Sequence, residues 1–145
     1  HKAIKGNFFL LAMIDHLFSV DLIRRVLNSP PVLGEVHLAT DKNIDAVFDI
    51  DDLTKVILKG DHIVEIGKHL REFDAGDTGL FFCSHALFDA LAKARDSQGY
   101  GLSDGVSRLI GEKKFKAVDI TGNSWQDVDT NEMIAYAEKV LSSEE

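Results

Sequence analysis

Four runs rich in apolar residues divide the chain, at 8–14, 35–39, 80–83 and 115–120. The first, Phe-Phe-Leu-Leu-Ala-Met-Ile, has no polar position at all, which is typical of a strand buried on both faces of a sheet. We predict a strand at each run. Between them, apolar residues recur at three- and four-residue spacing behind polar N-cap candidates. This pattern predicts helices that begin near Ser19, Ser84, Ser103 and Asp129.

Shorter apolar segments lie between the second and third runs. Residues 55–58 and 62–66 flank Lys59-Gly60-Asp61, and a glycine in so short a connection predicts a β-hairpin. Residues 46–48 predict one more short strand. Because strands alternate with helices and a hairpin is inserted, the predicted class is α/β with a mixed sheet.

The composition is that of one globular domain. The chain has 145 residues, 45% hydrophobic and 28% charged, which is enough for a single core. We assign residues 1–141 to the domain and 142–145 to a disordered tail or linker. No apolar run is long enough to cross a bilayer and no signal-peptide pattern is present. The single cysteine, Cys83, allows no disulfide framework, so we expect a cytoplasmic location.

The net charge limits the classes of ligand that the protein could bind. A net charge of −8 argues against nucleic-acid binding, which requires a basic face to neutralise phosphates. It is compatible with a small phosphorylated ligand, because a bound metal ion can supply the positive charge. The question is then which residues could bind a metal.

Two aspartates, Asp15 and Asp127, follow predicted strands far apart in the sequence. Ligands of open α/β sheets bind beyond the carboxyl ends of the strands, and Mg²⁺ takes one or two carboxylates together with waters and phosphate oxygens. We predict that Asp15 and Asp127 bind a divalent metal, provided that their strands are neighbours. The alternative is a turn or cap role; Asp129, with Glu132 three residues on, has the pattern of a capping box.

Two polar segments could bind the rest of a ligand. Lys68 follows Gly67 at the end of the predicted hairpin and could bind a phosphate, or it could be a solvated surface lysine. Asp77-Thr78-Gly79, before the third run, suits recognition of hydroxyl groups in a sugar or polyol, or a tight turn. Spacing alone leaves both alternatives open.

The segment around Asp49 and Asp51 suggests a different chemistry. It resembles the strand-end motif of haloacid-dehalogenase phosphatases, in which the first aspartate attacks phosphorus and the second is the general acid. The match departs at Asp52, where the motif has glycine, and at Leu53, where it has threonine. The long helix expected after the motif is also replaced by strand-like 55–58, so we retain this only as an alternative.

Four motifs occur in order over nearly the whole chain. They are the apolar strand ending in Asp15-His16, then Glu65-Ile66-Gly67-Lys68, Asp77-Thr78-Gly79-Leu80-Phe81 and Trp125-Gln126-Asp127-Val128-Asp129-Thr130. Together they resemble nucleotidyltransferases of the nucleoside-diphosphate-sugar pyrophosphorylase type. The greatest similarity is to the inositol-1-phosphate cytidylyltransferase branch, often fused to a membrane CDP-alcohol phosphotransferase that makes di-myo-inositol phosphate phosphate.

The resemblance implies a Rossmann-like fold of the GT-A type and a role for each motif. Asp15 and Asp127 match the two metal aspartates, for Mg²⁺, and Lys68 matches the catalytic lysine that contacts the acceptor phosphate. The implied reaction is attack of a phosphomonoester oxygen of inositol 1-phosphate, or a similar sugar phosphate, on the α-phosphorus of CTP, giving CDP-inositol and pyrophosphate. The residues implied in substrate binding are Asp77, Thr78, Gly79 and Trp125.

One family feature is missing from this sequence. The family has a glycine-rich loop with a basic residue after its first strand, and we expect that nucleotide-binding portion to precede His1. On this expectation the chain alone does not turn over. The alternative is a catalytically inactive docking domain of a membrane CDP-alcohol phosphotransferase, held at the cytoplasmic face of a membrane by the fused domain.

Overall fold

The computed structural model describes residues 3–47 and 49–143, with the side chains of all of these except 46 and 140–143. The strands are β1 (Phe8–Ala12), β2 (His16–Phe18), β3 (Val36–Asp41), β4 (Lys55–Lys59), β5 (His62–Gly67), β6 (Ala75–Ser84), β7 (Phe115–Asp119) and β8 (Trp125–Asp127). The helices are α1 (Val20–Leu27), α2 (Ala86–Asp96), α3 (Leu102–Gly111) and α4 (Asn131–Ser143), with a 3₁₀ helix at Ile44–Ala46.

Six strands form one mixed sheet in the order β1-β6-β3-β7-β5-β4, with a further pairing between β6 and β4. β3 and β7 are parallel, in the register Val36↔Phe115 to Thr40↔Asp119, and the other pairs are antiparallel. This confirms the predicted α/β class with a mixed sheet. Since β3 and β7 run in the same direction, their carboxyl ends lie at one edge of the sheet, where Asp41 is the last residue of β3.

Helices cover both faces of this sheet. Successive residues of a strand point to opposite faces; accordingly Leu38 of β3 packs with α2 and α3, and Ala39 packs with α1. α1 contributes Leu22 and Val26, which lie one turn apart on its buried side. Its predicted N-cap is confirmed, because the Ser19 hydroxyl accepts a hydrogen bond from the Leu22 amide at 3.3 Å.

The first strand is less buried than its sequence suggests. β1 lies at the edge of the sheet and pairs only with β6, antiparallel. Phe9 and Leu11 pack against the core, whereas Phe8 and Leu10 are 36% and 38% exposed. The prediction of a strand buried on both faces is therefore wrong for β1.

The two predictions for the segment between the second and third runs have different outcomes. β4 and β5 pair antiparallel around Gly60, whose φ is +65°, so the predicted hairpin is confirmed. The strand predicted at 46–48 is wrong in its described part, since the 3₁₀ helix ends at Ala46 and Val47 is not in a strand. Phe48 lies outside the described residues.

The third run belongs to a longer strand than predicted. β6 begins at Ala75, so Asp77-Thr78-Gly79 lies within the strand and is not a turn at its entry. β6 pairs with β1, β3 and β4, which puts this segment in the middle of the sheet. Cys83 of β6 has no exposed surface, and burial raises the pKa of its thiol to about 12. A thiol that is buried and protonated in this way packs as a small apolar group.

All four predicted helices are present; α1 begins after its predicted N-cap, and the starts of the other three are shifted. α2 is preceded by His85 rather than Ser84 at its N-cap position, and α3 by Gly101 rather than Ser103. Among the described residues, no helix combines the length and hydrophobicity needed to cross a membrane.

Candidate functional site

A two-stranded ribbon of β2 and β8 brings together two segments that are more than a hundred residues apart in the sequence. The two strands pair antiparallel, with His16 opposite Asp127 and Phe18 opposite Trp125. The Val128 amide also donates to the Asp15 carbonyl at 2.8 Å. Asp15 directly precedes β2 and Asp127 ends its partner strand β8, so the two residues lie side by side in the ribbon. The strands that they were predicted to follow, β1 and β7, are not neighbours in the six-stranded sheet. The segment around Trp125, predicted as a strand-to-helix turn, is itself a short strand.

Three carboxylates converge beside this ribbon. One carboxylate oxygen from each of Asp52, Asp127 and Asp129 lies within 4.8 Å of the others, and we call these residues the acidic cluster. The capping box predicted at Asp129 is wrong: the Thr130 hydroxyl accepts from the Met133 amide at 3.2 Å at the start of α4. The Asp129 carboxylate is thereby left for the cluster.

Lys68 reaches the same cluster from the end of β5. Its ammonium lies 2.6 Å from a carboxylate oxygen of Asp52. This bond raises the pKa of Lys68, and the charges of Asp129 and Asp127 contribute to the rise while slight desolvation opposes it. The structure thus brings together two residues predicted separately, Lys68 and Asp127. Asp52 was missed, because an aspartate in a polar loop carries no local signal.

The acidic cluster has more negative charge than its lysine can balance. Burial raises the pKa of Asp127; His16 opposes the rise, whereas Asp129 and Asp52 add to it. The side chains of Asp52, Asp127 and Asp129 supply oxygen ligands only. Hard divalent cations such as Mg²⁺ prefer such ligands, and a cation would relieve the repulsion that raises the Asp127 pKa. The residues present therefore fit a Mg²⁺ ion.

Asp15 occupies the edge of this arrangement. Its carboxylate lies 2.8 Å from Nδ1 of His16, and its side chain is 47% exposed. The hydrogen bond to His16 is the main cause that lowers the pKa of Asp15, and Asp129 makes a smaller contribution in the same direction. Asp15 is not one of the three carboxylates that converge most closely, so its role as a metal ligand stays a prediction.

The ring of His16 connects Asp15 to Trp125. The imidazole and indole planes are within 4° of parallel, with centroids 6.1 Å apart. The indole N–H of Trp125 donates to Oδ2 of Asp41 at 2.9 Å. These contacts fix the aromatic side of the ribbon, and nothing in the local sequence indicated the bond to Asp41.

The segment Asp77-Thr78-Gly79 lies beneath the same histidine. Gly79 has φ +76°, and a Cβ there would lie 2.9 Å from the His16 ring, so the glycine makes room for the ring. Oδ1 of Asp77 accepts from the Gly79 amide at 2.7 Å, and burial raises the pKa of Asp77 to about 6. The Thr78 hydroxyl donates to the Ala39 carbonyl at 2.9 Å. Thr78 has no exposed surface. Substrate contact stays a prediction for Asp77, Thr78 and Gly79.

A pocket of about 260 Å³ opens between the ribbon, the end of β3 and α4. Trp125 and Asp127 line one side, and Asp41, Asn123 and Tyr136 line the others. None of the described residues that line it is lysine, arginine or histidine. The pocket therefore suits a neutral, hydroxyl-rich group better than a phosphate.

The phosphatase motif has a different place in the structure. Oδ1 of Asp49 accepts the backbone amides of Asp51 and Asp52, at 3.1 and 3.2 Å, and so closes a turn. In the described residues on either side of Asp49, no strand leads into it. Its observed role is to hold the loop that carries Asp52 to the acidic cluster.

Comparison with known proteins gives two groups of relatives. No protein-family model matches the chain. It is 30% identical over 135 residues to the bifunctional IPC transferase and DIPP synthase of Archaeoglobus fulgidus, which covers 93% of this chain and 25% of the relative. It is 33% identical over 142 residues to the protein of the same name from Thermococcus kodakarensis, covering 97% of this chain and 30% of the relative.

Two solved structures have the same fold. The inositol-1-phosphate CTP transferase from T. maritima superposes with a TM-score of 0.81 at 19% identity, over 97% of this chain and 57% of the other. A putative glucose-1-phosphate thymidylyltransferase from Bacillus anthracis, in complex with a sucrose, gives 0.72 at 14% identity, over 96% of this chain and 56% of the other.

The chain thus spans 25–30% of the length of these two bifunctional relatives and little more than half of the two structures. Within that span the sequence comparison and the structure comparison both give proteins named as transferases. The resemblance inferred from the four motifs is confirmed: the chain has a nucleotidyltransferase fold and is a sequence relative of the bifunctional IPC transferases and DIPP synthases.

Proposed function

We propose that this domain supplies the metal-binding and acceptor-binding side of a cytidylyltransferase. The reaction joins CTP and inositol 1-phosphate, or a similar sugar phosphate, to give CDP-inositol and pyrophosphate. The observation that carries the proposal is the convergence of Asp52, Asp127 and Asp129 with Lys68 beside the ribbon. The names of the relatives support the same transferase chemistry.

The acidic cluster is the proposed Mg²⁺ site, with Asp127 as its central ligand and Asp15 at its edge. When bound, Mg²⁺ supplies positive charge that stabilises the negative charge developing around phosphorus. The carboxylates hold that charge in place, and their excess over nearby cations is the physical reason for the assignment.

Lys68 has the role of holding the acceptor phosphate. Its ammonium is engaged by Asp52 alone, in an exposed position, from which it can exchange that carboxylate for a phosphate oxygen. A non-bridging oxygen of the phosphomonoester then attacks the α-phosphorus of CTP. The bond from that phosphorus to the bridging oxygen breaks, and pyrophosphate leaves with the electron pair.

The neutral ring of the acceptor would be recognised by hydroxyl-binding groups. Asp77 and Gly79 lie beneath His16, whose ring stacks on Trp125, and Trp125 lines the pocket together with Asp41 and Asn123. The absence of cationic side chains from the described lining of that pocket favours a polyol ring there, with its phosphate turned towards Lys68.

The parent protein is proposed to be longer than this chain. Its relatives are bifunctional and three to four times as long as the matched span. We therefore propose a fused membrane CDP-alcohol phosphotransferase domain, which would hold this site at the cytoplasmic face of a membrane. Fractionation of cells that produce the parent protein tests this, since a protein wholly in the soluble fraction contradicts it.

The activity is tested in the longer protein that contains this domain. Pyrophosphate release is measured with CTP, inositol 1-phosphate and Mg²⁺. We expect Asp127→Ala to abolish release and Asp49→Ala to leave it nearly intact. Loss of activity with Asp49→Ala alone would revive the phosphatase alternative through Asp49 and Asp51. A folded, inactive parent protein would instead favour the docking role.

A further inference from the structure

Asp41 is a buried carboxylate to which the described part of the chain offers no cationic partner. It is 4% exposed, at the last position of β3. Oδ1 accepts from the Asn43 amide at 2.8 Å and Oδ2 accepts from the indole N–H of Trp125 at 2.9 Å. No lysine, arginine or histidine of the described residues forms an ion pair with it. Burial of an uncompensated carboxylate is costly, so two neutral donors must suffice to keep it in place.

The bond to Asp41 determines how the Trp125 ring is turned. The indole has a single polar hydrogen, and rotation of the ring by half a turn would take that hydrogen away from Oδ2. The pocket of about 260 Å³ lies against Trp125, and the ring also packs against the core cluster on the α1 side of the sheet and stacks on the His16 ring. Apolar packing and stacking are not directional, whereas the hydrogen bond to the Asp41 carboxylate specifies which edge of the indole faces Oδ2.

The His16 ring connects Trp125 to the candidate metal site. The indole lies parallel to the His16 ring, whose Nδ1 lies 2.8 Å from the Asp15 carboxylate. Two residues after Trp125 in β8 comes Asp127 of the acidic cluster. Asp41 is thus connected to both predicted metal aspartates without touching either.

We propose that Asp41 is a positioning residue, which fixes the Trp125 ring and through it the His16 ring and the carboxylates of the candidate site. Its effect on cation binding rests on the proposed function. The orientation of the two rings does not rest on it, so the two parts are measured separately.

The first measurement uses the indole itself. Trp125 is the only tryptophan of the sequence, so the ¹⁵N-labelled chain has one indole N–H signal. Asp41→Asn leaves one oxygen for the two donors, and Asp41→Ala leaves none. If the remaining oxygen keeps the Asn43 amide, both variants should move this signal upfield and accelerate its solvent exchange roughly tenfold, the equivalent of one hydrogen bond. The His16 ring signals should shift with it. Asp21→Asn, an equal change of charge on an exposed carboxylate of α1, should leave all of them in place.

The second measurement is the affinity for Mn²⁺, followed by electron paramagnetic resonance of the free ion. Outer-shell partners typically affect metal affinity 10–100-fold, and we expect a loss of about tenfold in Asp41→Asn. Trp125→Phe removes the same hydrogen bond from the other side and should give a similar loss. The double variant should be no weaker than either single variant, because both changes break one chain of contacts.

The outcomes separate the two proposals. An unchanged indole signal in folded Asp41→Ala, which has no side-chain acceptor, overturns the positioning role, as do fully additive losses in the double variant. If Asp41→Ala does not fold, Trp125→Phe decides: unchanged Mn²⁺ affinity in that variant contradicts the proposal. If the unmodified chain binds no Mn²⁺, the proposed metal site fails, and the indole and His16 signals alone decide whether Asp41 orients the rings.

Discussion

Two charged clusters lie at opposite ends of the parallel strands β3 and β7, and they differ in how their charges are balanced. At the amino-terminal end, the Lys116 ammonium lies 3.3 Å from Glu35 and 3.5 Å from Asp61. We call these three residues the balanced cluster, because each of its carboxylates contacts the ammonium. At the other end, the acidic cluster brings three carboxylates within 4.8 Å of one another, and Lys68 forms an ion pair with one of them, Asp52.

The pKa shifts follow from this difference. In the balanced cluster, desolvation acts to raise the pKa of Asp61, but Lys116 and His62 outweigh it and the pKa is lowered. In the acidic cluster, desolvation raises the pKa of Asp127 and two further carboxylates reinforce the rise. A group of charges is therefore not itself the mark of a binding site. An excess of one sign, at the edge where strands end, is the feature that calls for a ligand.

Replacing one carboxylate in each cluster should give the largest contrast. Asp127→Asn should weaken Mn²⁺ binding by more than about 100-fold, because loss of a ligand exceeds the 10–100-fold typical of outer-shell partners. Glu35→Gln should change the affinity less than about twofold, because Glu35 lies at the other end of the strands and already contacts the Lys116 ammonium. The free Mn²⁺ signal in solution measures both.

The same contrast predicts opposite pH dependence for two aspartates. The pKa of Asp77 rises from 3.8 to about 6 on folding, because of burial. The folded state therefore binds the proton more tightly, and its stability falls as the pH rises from 3.8 to about 6. Asp77→Asn lacks this loss. We expect it to be more stable than the unmodified chain at pH 7 by up to about 3 kcal/mol, and nearly equal at pH 4, by urea unfolding.

Asp119 is the matched control for this measurement. Desolvation acts to raise its pKa, but hydrogen bonds from Thr121 and Lys42 lower it to about 2. Its stabilising contribution is thus present above pH 3.8 and lost as the pH falls through about 2. Asp119→Asn should be less stable than the unmodified chain at pH 7. If both variants shift stability in the same direction at pH 7, the assignment of partnered and unpartnered carboxylates is wrong.

Removing the lysine of each cluster should give a smaller, but qualitatively distinct, effect. Lys68→Met leaves three carboxylates without their cation, so its melting temperature should fall in chelator and recover when Mg²⁺ is added. Lys116→Met should also lower the melting temperature, but Mg²⁺ should not restore it, because Glu35 and Asp61 do not form a cation site. Calorimetry with and without Mg²⁺ distinguishes the two. Equal recovery of both variants would contradict the comparison.

Much of the fold could be predicted from local pattern. β3, β7, the β4–β5 hairpin and the four helices follow from apolar runs, helical spacing and one turn glycine, because each of these signals lies within a few residues of the element that it specifies. β8 could not be predicted in this way. Its three residues form a strand only because β2, more than a hundred residues earlier, provides the partner.

The candidate site was predicted only in part, because some of its residues carry a local sequence signal and others do not. Asp127 and Lys68 each follow a recognisable strand, and the structure brings them to one place. Asp52 and Asp41 were missed, because their roles depend on contacts with distant residues. The sequence pattern around Asp49 and Asp51 suggested an alternative chemistry. In the structure the Asp49 carboxylate accepts the amides of Asp51 and Asp52 and so closes the turn that precedes the acidic cluster. Polar residues in loops acquire a role through tertiary contacts that periodicity does not record.

The smallest expected effect concerns that loop, and it bears on whether Asp52 belongs to the acidic cluster at all. Asp49 acts through one acceptor oxygen, which receives the amides of Asp51 and Asp52. Asp49→Asn keeps an acceptor oxygen in the same place, so Mn²⁺ affinity should stay within about twofold. Asp49→Ala removes it and should loosen the loop, with a loss of about two- to fivefold, a fraction of a typical hydrogen bond. A phosphatase nucleophile would show a different pattern in an assay of phosphate release. The amide of Asn cannot attack phosphorus, so both variants would be equally inactive in that assay. Graded affinities from Asn to Ala, measured beside Asp127→Asn, would therefore assign Asp49 to loop support, and equal losses would contradict it.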